Sequence, residues 1–166
     1  MLALEICSLK NFMNHLLVSD TFDIFLLEEA TISTANTFTI DGHINPEFFS
    51  RENSDISTPA YDFRPWSEVK GLCFDLIKGK RTPLFFRFVL HFMPEKATAL
   101  LESRGCSVDS SQVKALVLTI RYDGSKALLT TGTAFHTFVL SKEPDTIWDI
   151  ALKQYLDKKE IEYEEL

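Results

Sequence analysis

Between positions 66 and 77 apolar residues return at helical spacing. Trp66, Val69, Leu72, Cys73, Leu76 and Ile77 fall on one face, with Glu68, Lys70, Asp75 and Lys78 on the other. Ser67 offers a side-chain cap, Gly79 a left-handed exit and Pro83 a barrier, so the pattern predicts a helix ending near Lys78. From Leu84 the period becomes two. Leu84, Phe86, Phe88, Leu90 and Phe92 lie on one side and Phe85, Arg87, Val89 and His91 on the other, which predicts an interior strand.

The same reading extends along the chain. Residues 1–7 read as a strand, followed by a helix with the stripe Leu9, Phe12, Met13, Leu16 and Leu17, capped by Ser8. Strands are expected over 24–34 and 37–44, the second alternating Phe38 and Ile40 with Thr37, Thr39 and Asp41. Residues 45–64 are irregular, with a helical turn at 46–50, a polar middle expected to move, and Phe48, Phe49, Tyr61 and Phe63 expected to dock. Pro94 opens a short helix closed by Gly105, and strands at 114–122 and 126–134 flank the turn Asp123-Gly124-Ser125. A strand continues through 135–140, Pro144 starts a final amphipathic helix, and the acidic residues 160–166 are expected to fray.

This order predicts an α+β domain with a mainly antiparallel sheet and helices on one face. Strand, helix and hairpin occur twice, over 1–44 and 84–140, with a loop and linking helix at 45–83 between them and a last helix at 141–159. Such units resemble the building block of the DNA sliding clamps. The first six elements also match the ferredoxin-like order, the alternative core. Both likenesses concern fold alone.

With 166 residues, 45% of them hydrophobic and 14 of them phenylalanine, the chain can bury one core, read as a single domain over 1–166 that needs no cofactor. Its apolar runs are too short for a membrane span and its start lacks a basic lead, so the expectation is a cytoplasmic protein. Cys7, Cys73 and Cys106 lack metal-ligand spacing and read as reduced core thiols.

The formal charge of −7 is unevenly spread. Residues 1–63 hold 2 basic and 10 acidic side chains, residues 64–126 hold 11 and 6, and residues 127–166 hold 4 and 8. The basic middle hints at an anionic partner; the commoner outcome is that the segments neutralise one another in the fold.

Two groups carry that hint. Lys78, Lys80 and Arg81 surround Gly79 in a turn that either holds a phosphate or simply complements a helix end. A nucleic-acid partner further requires Lys96 and Arg104 to share that surface. Arg87 and His91 share one side of a strand, as Thr119 and Arg121 share a side of another. If those sides coincide, an Arg-Arg-His cluster meets an anion; otherwise the residues pair with Glu28, Glu29 or Asp123.

No P-loop, Ser-His-Asp, His-Glu-x-x-His or paired-carboxylate signature is present, and the histidines are scattered. The inventory favours a non-enzymatic binding or scaffolding module, self-associating or contacting nucleic acid. The competing expectation is a small-molecule enzyme with a pocket under 45–64, near His91 and Arg87.

Four blocks together resemble an uncharacterised bacterial family of short proteins of unknown function: Thr21-Phe22-Asp23, the segment from Asn36 to Ile44, the segment from Leu76 to Leu84, and Ile120 to Gly124. The resemblance covers nearly the whole chain. It implies a self-contained bacterial cytoplasmic protein and no assigned activity.

Overall fold

The computed structural model describes residues 1–50 and 59–166. Its strands are β1 (Ala3–Ile6), β2 (Phe25–Ser33), β3 (Thr37–Asp41), β4 (Arg64–Pro65), β5 (Phe85–Phe92), β6 (Val113–Tyr122), β7 (Ala127–Phe135) and β8 (Tyr163–Glu165). They form one antiparallel sheet in the order β3-β2-β5-β6-β7-β1-β8, with β4 also paired to β2. The helices are α1 (Leu9–Leu17), α2 (Pro46–Ser50), α3 (Trp66–Ile77), α4 (Pro94–Ser103) and α5 (Glu143–Lys158). The chain is thus α+β with an antiparallel sheet.

Alternation decides which side of the sheet is dry. Phe86, Phe88 and Leu90 of β5, with Leu116, Leu118 and Ile120 of β6, share one buried cluster with Phe12 and Leu16 of α1, Trp66 and Cys73 of α3, and Trp148 and Leu152 of α5. With Ala97 of α4 in the same cluster, four helices cover one face, as expected. Both tryptophans are buried with their polar edge satisfied. Trp66 Nε1 donates to the Leu16 carbonyl and Trp148 Nε1 to the Val117 carbonyl, each at 2.9 Å.

The strand that opens the first unit does not pair with that unit's own hairpin. β1 pairs with β7, so β5, β6 and β7 separate it from β2, the strand that follows it in the chain. The ferredoxin-like alternative is not formed, because β1 has no contact with β2, β3 or β5 in the ladder.

Several local expectations are corrected. Residues 160–166 do not fray: Ile161 is buried, and β8 pairs with β1 while the Leu166 amide donates to the Ala3 carbonyl. The acidic side chains Glu162, Glu164 and Glu165 stay exposed, so pairing costs them little hydration. The strand through 135–140 ends at Phe135. Ser67 caps nothing, because α3 starts at Trp66 after Pro65, and Ser8 sits at the cap position without a side-chain bond. Leu72 and Leu84 point to solvent, so the apolar stripes are narrower than the spacing implies. Cys7 is exposed rather than a core thiol.

Of the aromatic ends of 45–64, Phe48 is exposed, whereas Phe63 docks between the rings of His43 and His91 at 4.4 and 4.7 Å. The polar middle expected to move, 51–58, lies outside the described residues. Gly42 makes that corner possible. A Cβ there would stand 1.8 Å from the Leu27 carbonyl oxygen, and the Gly42 carbonyl accepts from the Arg64 amide.

Candidate anion-binding face

The face of the sheet turned away from these helices is built from the residues between the core positions; Val89 and His91 are buried there, His91 against Phe63, whereas Arg87 and Arg121 are exposed. Arg87 lies between buried Phe86 and Phe88, and Arg121 between buried Ile120 and Tyr122, so both point away from the helices. The β5–β6 register sets Arg87 directly opposite Arg121, and the β2–β5 register sets Thr31 on the other side of Arg87. The two sides that the sequence leaves open do coincide.

Like charges directly opposite each other destabilise a sheet. Among the described residues neither guanidinium has an ion pair. Arg121 rests on the Phe85 ring, 5.3 Å from its centroid. One row away Thr119 stands opposite Val89 and Thr130 opposite Thr119, and their half-buried hydroxyls add donors to the ten guanidinium hydrogens' forked geometry.

The surroundings of this pair are acidic. On one flank Glu29 stands opposite Asp41, and on the other Glu5 stands opposite Glu164, with Glu5 also 3.2 Å from Lys126. His43 holds Asp41 by its backbone amide and by its ring at 2.7 Å, and these bonds keep the Asp41 carboxyl below its ordinary range. A compact positive centre between carboxylates fits one anionic group rather than a chain of them.

His91 does not join the arginines. It is buried, and its Nε2 meets Glu28 Oε2 at 2.9 Å, which is the alternative pairing expected from the sequence. A concavity of about 440 Å³ does lie beside the 45–64 segment, lined by His43, Tyr61, Asp62, Phe63 and Lys114, without Arg87 or His91.

The remaining basic residues are dispersed. Lys78 pairs with Asp75 at 2.9 Å and lies over Phe74, while Lys80 and Arg81 are exposed in the turn around Gly79, whose φ is 144°. That turn precedes β5, whereas Lys96 is on α4, beyond the opposite end of the same strand. Eight extended residues separate the two ends, roughly 26 Å. Arg104 donates to Gln154. Lys78, Lys80 and Arg81 therefore lie near one end of β5 and Lys96 beyond the other.

Burial pushes the Cys73 thiol up to about 12. Among the described residues no group of three or more His, Cys, Asp or Glu side chains is placed to hold a metal, and no helix is long and apolar enough to cross a membrane.

A family model described as a family of unknown function (DUF5721) matches residues 15–164. The chain belongs to the DUF5721 family. The resemblance seen in the four sequence blocks to a family without assigned activity agrees with this. No curated protein and no solved structure matches the chain. Within this DUF5721 chain, the sequence singled out Arg87, Thr119 and Arg121 but missed Thr31 and Thr130. Period-two patterning tells which side a residue takes; only the register tells which residue it meets.

Proposed function

We propose that this DUF5721 protein is a non-enzymatic binding module whose open sheet face receives a single carboxylate or phosphate carried by a protein partner. The observation that carries the reading is the exposed Arg87–Arg121 confrontation, which disfavours the free sheet and favours an anion placed between two forked donors. A polyphosphate strand fits less well, because it needs a continuous positive track and would meet Glu29, Asp41, Glu5 and Glu164 on the flanks.

The face is also a better docking surface than the edges. β3 has five residues and β8 three, and β8 carries Glu164 and Glu165, features that resist edge-to-edge pairing. The reading extends to a reducing bacterial cytoplasm, supported by the three free cysteines.

The test is fluorescence anisotropy of a short labelled peptide bearing one phosphoserine, beside its glutamate counterpart and a single-stranded oligonucleotide. Saturable, salt-sensitive binding of the phosphopeptide that is lost in Arg87→Thr/Arg121→Thr is expected. Tighter binding of the oligonucleotide, or peptide binding that survives the double substitution, would overturn the reading.

A further inference from the structure

On the opposite, helical side a groove of about 390 Å³ runs between α1 and the end of α3. Its floor is Met13, Leu17, Ile77 and Phe86, and its rim carries Lys10, Phe74, Lys78 and Arg81. This volume falls in the range of small-molecule sites.

The two helices run antiparallel. Trp66 at the start of α3 bonds to Leu16 at the end of α1, and Lys70 Nζ reaches the Ser19 carbonyl at 2.8 Å. The end of α3 and the turn after it therefore lie beside the start of α1, which brings Lys78 and Arg81 to the same end of the groove as Lys10. The cations gather at one end; Leu17 and Val18 line the other.

Lys78 is held by Asp75, but Lys10 and Arg81 have no ion pair among the described residues. The first turn of α1 contains no acidic residue and Ser8 makes no side-chain cap bond, so the positive end of the helix adds to the same field. Exposed Phe74 at the lip leaves apolar surface in water until something covers it.

We infer that this groove binds a medium-chain fatty acid, its hydrocarbon tail against Met13, Leu17 and Phe74 and its carboxylate toward Lys10 and Arg81. A neutral chain leaves the cations unused, and an inorganic anion leaves the apolar floor wet. The site is separate from the arginine pair: Phe86 and Arg87 are neighbours on β5 but face opposite sides of the sheet.

The experiment is calorimetric titration of the full chain with dodecanoate below its micelle concentration, against dodecyltrimethylammonium and butyrate. One saturable dodecanoate site is expected, with both comparison ligands weaker by about tenfold or more. Lys10→Glu/Arg81→Glu, at two exposed positions, is expected to weaken dodecanoate by about tenfold. Amide shifts of the wild-type protein are expected at 9–18 and 74–86, a readout independent of any variant. Equal binding of dodecyltrimethylammonium, shifts centred elsewhere, or a stable dimer that excludes dodecanoate from the groove would overturn the inference.

Discussion

Arg87 and Arg121 face each other across β5 and β6, each flanked along its strand by buried aromatic or aliphatic residues that fix its direction. Neither has room to leave the other by turning into the core. The free protein is therefore expected to carry a repulsion, which under the proposed function a bound anion would convert into two charge-assisted contacts.

Removing one member separates stability from binding. Arg87→Thr is expected to stabilise the free protein by about 0.2–1 kcal/mol, the usual size of a cross-strand charge effect, while weakening anion binding. Arg121→Thr gains less, because Arg121 also packs on Phe85. Urea denaturation measures both; a loss of stability in Arg87→Thr contradicts the repulsion.

The corner at Gly42 tolerates no side chain. In Gly42→Ala the new methyl would strike the Leu27 carbonyl oxygen and carbon, at 1.8 and 2.7 Å, and both belong to backbone. A loss of at least about 2 kcal/mol is expected. Thermal melts check it, and a variant as stable as wild type would show that β2 can move aside.

Acidification should erode the turns. Backbone amides of Lys126 and Ser125 hold Asp123 below the ordinary carboxylate range, and the Ser111 amide does the same for Asp109. Folded pKa values below the unfolded ones mean that this stabilisation is complete above the unfolded value, near pH 4, and is lost as pH falls through the folded value. Asp123→Asn should therefore flatten the dependence of melting temperature on pH in the acid limb. An unchanged acid limb argues against the turn bonds.

The thiols should react in order of access. Cys7 is exposed and is modified first, slowed by desolvation and by Glu164, Glu162 and Glu5, which raise its pKa. Cys73, buried with its thiol at about 12, is expected to react only on unfolding. A thiol-specific chromogenic reagent with and without denaturant follows both.

The strand-helix alternation along the chain was legible because Phe86, Phe88 and Leu90 or Leu16 and Leu17 advertise their period. The site was half legible. Patterning placed Arg87 and Arg121 on the outer sides of their strands, but their opposition depends on β5 and β6 lying adjacent with one register, a long-range choice made by the packed core. The same limit hid β8. Ile161 and Tyr163 alternate with glutamates over too few residues to outweigh an acidic tail, and only the free edge of β1 turns them into a strand. Ser67 failed as a cap because Pro65 had already directed the chain into the helix.

The most direct measurement is a nitrogen-15 NMR titration with inorganic phosphate at constant ionic strength, observing arginine Nε–H groups and backbone amides. Saturable shifts centred on Arg87, Arg121 and the amides of 119–122, absent in Arg87→Thr/Arg121→Thr, are the predicted result. Shifts confined to the 78–82 turn, or none that saturate, would contradict the anion-binding face.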